Sequence, residues 1–140
     1  MSNLSDIISG LSTVLEATIT GLQTFDFPAA SVQQFPAAVI LPDTIDPEVA
    51  FGGNTFKGTL RVVYLVQSGD EASGFASLYN AVDPTAANVS VVKAVRTDPT
   101  LDGKADSAGV IRLENIGRRE LWGGYYFGFD AIVEFVKTVA

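Results

Sequence analysis

Tyr125-Tyr126-Phe127-Gly128-Phe129-Asp130-Ala131-Ile132-Val133-Glu134-Phe135-Val136 is the stretch that decides how this chain folds. Tyr125, Phe127, Phe129, Ala131, Val133 and Phe135 take every second position, and Asp130 and Glu134 fall between them. A period of two belongs to a β-strand with one face in a core. At about 3.3 Å per residue such a strand extends ~36 Å, so it is expected to carry a bulge or to project past its own sheet.

Upstream, Ile111 and Leu113 alternate with Arg112 and Glu114, the pattern of a half-exposed strand. A glycine-rich loop over residues 117–124 is expected to join the two strands as a hairpin. Asp98-Pro99 ends a helix that Asp83-Pro84 opens, with the aspartate as cap and the proline in the first turn. Its apolar stripe is Val89, Val92 and Val95. A preceding helix starts at the capping box Ser68-Gly69-Asp70-Glu71 and presents Phe75, Leu78, Tyr79 and Val82.

Residues 55–67 read as a long strand. Leu60, Val62, Tyr64 and Val66 are apolar on one side and Val63 and Leu65 on the other, so both faces are expected to be covered. Gly52-Gly53-Asn54 makes a turn, and Val49 to Phe51 closes the strand before it. Pro28, Pro36, Pro42 and Pro47 exclude helix from the region before that turn, where residues 37–41 form a short apolar strand and residues 24–27 a second. At the start, Leu4, Ile7, Ile8, Leu11, Val14, Leu15 and Ile19 recur at three- and four-residue steps, which predicts a helix over residues 4–20 with Ser2 as cap and Gly21 as stop. The expected fold is one α+β domain over residues 1–140: a mostly antiparallel sheet, with an N-terminal helix and two central helices packed on one face.

Composition narrows the function. With 9 basic against 16 acidic residues the formal charge is −7, the wrong sign for neutralising nucleic-acid phosphates or an anionic membrane surface. The chain has no histidine and no cysteine, which removes imidazole and thiolate ligands, thiol nucleophiles and histidine-based triads. No segment reaches the ~20 apolar residues of a spanning helix. The N-terminal stretch lacks a basic region and carries Asp6 and Glu16, so it does not read as a signal peptide, and synthesis in the cytoplasm is expected. Charged residues are only 18% of the chain, fewer than the quarter typical of a free-standing globule, so part of the surface is expected to meet a partner.

Two acidic groups are candidates for chemistry. Asp98, Asp102 and Asp106 lie in a glycine-containing loop that could face a hard cation, but the spacing departs from the twelve-residue calcium loop and Lys104 sits among the acids. Asp43, Asp46 and Glu48 stand beside prolines, the setting of turn formers. Neither supplies one raised-pKa acid with an ionised partner, as acid–base catalysis needs. Gly52-Gly53 and Gly123-Gly124 lack a phosphate-binding pattern. No catalytic residue, cofactor or metal is assigned. Arg118 and Arg119 beside Trp122 combine the residue types enriched at interface hot spots, and with Phe51 and Phe56, which flank the glycine turn, they are the candidate contact residues.

The chain resembles the tail-terminator (tail-completion) proteins of long-tailed bacteriophages, especially the kind found in phages of actinobacteria. The resemblance follows the chain in order: the opening helix from Leu4; the proline-bounded strand Pro36-Ala-Ala-Val-Ile-Leu-Pro42; a strand ending in Phe51-Gly52 and its return Leu60-Arg-Val-Val-Tyr-Leu-Val66; Ser90-Val-Val-Lys-Ala-Val-Arg-Thr-Asp-Pro-Thr-Leu101; and a hairpin with Trp122-Gly-Gly124 and a long alternating strand. Asp102 departs from the glycine that relatives often have there. The resemblance implies a virion structural protein, not an enzyme: a homo-oligomeric ring, hexameric in the family, that caps the tail tube, ends its polymerisation and offers the head-joining surface. Its partners are then copies of itself, the tail tube protein and a head-neck connector, and DNA passes through the lumen without specific binding. Six copies at −7 each carry about −42, a field that repels DNA and lets it slide. The alternatives are another neck component (head-closure or head-to-tail adaptor protein) and a small acidic metal-dependent enzyme or ligand-binding module.

Overall fold

The computed structural model describes residues 4–19, 21–25, 36–46, 55–67, 79, 81–83, 90–121 and 124–138. Along the chain these form helix α1 (Leu4–Thr18), strands β1 (Gln23–Phe25), β2 (Ala37–Asp46) and β3 (Thr55–Gln67), helix α2 (Val91–Thr97), and strands β4 (Ser107–Leu121) and β5 (Gly124–Thr138). The architecture is mixed α and β, with a five-stranded sheet in the order β1-β2-β3-β5-β4. Only β1 and β2 run parallel; the other three pairings are antiparallel.

The stretch from Tyr125 to Val136 sits in the middle of the sheet, paired with β3 on one side and β4 on the other. It neither overhangs nor bulges, contrary to the expectation from its length, because both neighbours are comparably long. The irregularities lie on the partners: Asp43 in β2, Val66 in β3, and Ile111 and the Asn115-Ile116 step in β4 are extra residues in their ladders. This placement corrects two readings. Ile111 does not point into the core with Leu113; as the extra residue of a bulge it is 48% exposed. The predicted loop over residues 117–124 is mostly strand, since Gly117 to Leu121 pair with residues 128 to 124 and only two residues connect β4 to β5.

Directly opposed residues in an antiparallel ladder share a face. Ala38 and Ile40 of β2, Leu60, Val62 and Tyr64 of β3, and Phe129, Ala131, Val133 and Phe135 of β5 form one buried cluster with Ile7, Leu11, Val14, Leu15 and Ile19 of the first helix region and Val91, Ala94 and Val95 of α2. Tyr64 stacks on Phe129 at 5.0 Å between ring centroids. The opposite face carries a smaller cluster of Ala37, Val39, Val63, Leu65 and Tyr126, so the expectation that β3 is buried on both sides holds.

Local chemistry explains the helix ends. Gly21 follows α1 with φ +76°, the left-handed geometry that stops a helix. Gly10 lies inside α1 because a methyl group there would overlap the carbonyl oxygen of Leu101, so the loop after α2 lies directly on the helix backbone. Ser90, in extended conformation at φ −93° and ψ 120°, caps α2 through a 3.1 Å bond from the Lys93 N–H to its Oγ. That geometry breaks the predicted continuity of a helix opening at Asp83-Pro84. The buried stripe is Val91, Ala94 and Val95; of the predicted Val89, Val92 and Val95, Val95 is buried, Val92 is half-buried and Val89 lies outside the described residues. Pro42 stands inside β2, where β1 no longer flanks it: β1 covers only residues 37–39, and a strand margin tolerates the missing N–H. The Ser68 capping box, Phe75 and Leu78, like Ser2 and the strand end at residues 49–51, lie outside the described residues. Tyr79, Ala81 and Val82 are helical, but Tyr79 is 64% exposed rather than on the buried stripe.

Candidate functional site

The polar groups that the fold gathers lie on the sheet face that carries Val63 of β3. Arg61 of β3 is opposed by Ile132, two residues from Asp130 on β5 and so on the same face, and Glu114 of β4 is opposed by Asp130. Register therefore delivers charges from four strands to one place. The Arg61 guanidinium donates to Asp130 Oδ2 at 2.7 Å and to Glu114 Oε1 at 2.8 Å through Nη1, and to Asp43 Oδ1 at 3.3 Å through Nε. Asn115, left-handed at φ 54° in its bulge, donates from Nδ2 to Asp130 Oδ2 at 2.9 Å. Arg112 Nε holds the other oxygen of Glu114 at 2.9 Å. Thr59 donates to Asp43 Oδ2 at 3.1 Å and meets the Thr44 hydroxyl at 2.7 Å.

Burial grades along this network. The Asp130 side chain is 2% exposed, Arg61 28% and Arg112 55%. Burial opposes the Arg61 charge, but the bonds to Asp130 and Glu114 outweigh it and hold the guanidinium more firmly protonated than usual. Glu114 is held below the ordinary carboxylate range, first by Arg112 and then by Arg61. A guanidinium is no proton donor at neutral pH, and a carboxylate with a lowered pKa is no general acid. The network can orient strands and present charge, and its groups are engaged with one another.

The acidic loop serves a similar structural end. Asp98 accepts from the Thr100 hydroxyl at 2.7 Å, the Thr100 N–H at 3.2 Å and the Asp102 N–H at 3.1 Å, and the Thr100 bonds hold it below the usual range. Asp106 is held low likewise, first by the Thr138 side chain and then by the Thr138 N–H, from which it accepts at 2.9 Å in a bond that ties the loop to the end of β5. Leu101, Asp102 and Gly103 run consecutively left-handed at φ 51°, 59° and 78°, with Leu101 fully buried beneath them. No group of three or more acidic side chains able to hold a metal ion is present among the described residues. Asp43 belongs to the Arg61 network, Asp46 ends β2, and Glu48 lies outside the described residues.

Of the candidate contact residues, Phe56 packs edge-to-face on Phe135 at 5.8 Å and 80°, against the core. Arg118 is exposed on β4, opposite Phe127, and Arg119 follows it in the ladder opposite Tyr126. Phe51 and Trp122 lie outside the described residues. Arg118 and Arg119 are thus successive positions of β4, on alternate faces of the ladder, and Phe56 stands on β3. Sequence reasoning missed the Arg61–Asp130 pair. Its signal was there: Arg61 between Leu60 and Val62, and Asp130 between Phe129 and Ala131, are opposite charges with apolar neighbours that burial forces to find each other.

Among the described residues no helix is long and apolar enough to cross a membrane. Neither protein-family models nor the curated proteins contain a match to this chain.

Proposed function

We propose that this chain is a tail-terminator subunit of a long-tailed bacteriophage, a virion structural protein whose copies close into a ring on the end of the tail tube. On this reading both helices pack on one face of the sheet, and the ring's partners are the tail tube protein on one side and a head-neck connector on the other. Supporting it most is the order of the elements. An opening helix, a proline-bounded strand, a long return strand, a short helix ending at Asp98-Pro99 and a long terminal hairpin follow one another as the resemblance implies. The Arg61 network fits a subunit that must keep its shape under assembly, because cross-strand bonds from one guanidinium to three strands fix their register.

The test is the morphology of phage particles assembled without this subunit, seen by electron microscopy. Overlong tails are the expected result. Tails of normal length beside heads that leak DNA would overturn the reading and assign the chain to head closure instead.

A further inference from the structure

Among the described residues the sheet has two margins without a further strand, and the exposed isoleucines lie on the strands that form them. Among the described residues, no strand pairs with the outer side of β4, and none pairs with the outer side of β2 beyond Val39. The large exposed apolar residues described are Ile45 on that part of β2, Ile111 and Ile116 on β4, and Tyr79. Not one described side chain of β4 is fully buried, so the strand contributes less to its own core than its length allows. The margins also differ in charge: the β2 end carries Asp43 and Asp46, and β4 carries Arg112, whose side chain is 55% exposed despite its bond to Glu114. Beside Ile45 an open groove of about 410 Å³ is lined by Thr44, Asp46, Lys57 and Glu134.

We propose that the outer edge of β4 in one copy docks against residues 41–46 of β2 in the next, joining copies head to tail. Strand direction permits this without inversion. With β2 antiparallel to β3, β3 to β5, and β5 to β4, the two margins of the sheet already run antiparallel to each other. An isoleucine from a β4 bulge packs on the exposed side chain of Ile45, and Arg112 faces the acidic end of β2. The same features exclude indiscriminate pairing. Bulges on β4, and Pro42 and the Asp43 bulge on β2, interrupt any long ladder, so only a short matching segment fits. Two different margins make the contact heterologous, the type that generates rings when its rotation closes. The closure into a ring rests on the terminator reading; the contact itself does not.

Because the native chain has no cysteine, engineered cysteines report the contact directly. Purified I45C/I111C and I45C/I116C variants, oxidised and run without reductant, are expected to yield a ladder of two, three and more copies from at least one of them. The three single variants should yield none. In parallel, Ile116→Asp should weaken self-association about tenfold or more in sedimentation, with an unchanged melting temperature because the side chain is half exposed. Absence of a ladder from both double variants together with unaltered association of Ile116→Asp overturns the proposal. So does cross-linking of the single variants as efficient as that of the doubles, which would mean a two-fold contact. A ladder from a chain whose removal leaves tail length normal would sink the terminator reading and keep this interface; overlong tails without a ladder would do the reverse.

Discussion

Arg61 shows how much of this structure rests on single side chains. Its guanidinium is the counter-charge of a nearly inaccessible carboxylate, so removing it takes that charge from Asp130 and leaves the Asn115 amide bond in place. Breaking such a pair from one side costs roughly 3 kcal/mol or more, and Arg61→Ala should lower the urea midpoint accordingly. Asp43→Asn, at the 3.3 Å outer bond, should cost well under half as much. If both variants lose the same stability, the graded network is not what holds these strands. Only part of this was legible beforehand. The acids of the 98–106 loop read as turn residues, which is how Asp98 acts, because a turn aspartate bonds its own neighbours and needs no knowledge of the fold. The Arg61–Asp130 pair spans 69 positions and exists only once β3 and β5 are in register, so local reading could not assemble it.

Among the elements, α1 and β3 were fully legible, since each has a strong period of its own. Edges and connections were not. The glycines at 117, 123 and 124 look like a loop, yet the pairing of β4 with β5 outweighs the weak strand preference of Gly117 and Gly124 and carries the ladder to Leu121. Ile111 fitted an alternating pattern that a bulge then shifted. Gly10 separates propensity from packing. In an isolated helix Gly→Ala gains about 1 kcal/mol, but here the added methyl meets the Leu101 backbone, and the loop must move off α1. Gly10→Ala is therefore expected to destabilise by about 1–3 kcal/mol, and a gain in thermal stability would disprove that close approach. Ser90→Ala should cost about 1 kcal/mol through the lost cap, measured by the same denaturation, with Ser90→Asp retaining most of it.

At the scale of the whole molecule, stability should fall away on both sides of neutrality. Asp98, Asp106 and Glu114 are held below the ordinary carboxylate range by their bonds to Thr100, Thr138 and the two arginines. Their contribution is complete above that range. It is lost as the pH falls towards their folded values, because the unfolded chain then takes up protons that the folded one refuses. Glu114→Gln should flatten this acid limb in a series of urea midpoints against pH. Tyr64 governs the other side: burial raises its phenol above the ordinary 10.0, so the folded state keeps a proton that the unfolded chain surrenders. Stability should thus decline as pH climbs past about 10, and Tyr64→Phe, which preserves the ring stack on Phe129, should remove that part of the decline.

The central position of β5 has a consequence for biosynthesis. Of the described strands it is the last to leave the ribosome, yet β3 and β4 each need it as their neighbour. Until residues 124–138 emerge, the nascent chain must carry β3 with one flank bare and β4 with no described neighbour at all, so the sheet completes itself only when its middle arrives. A premature stop ahead of Gly124 would then release not a trimmed subunit but two fragments of a sheet with nothing to join them.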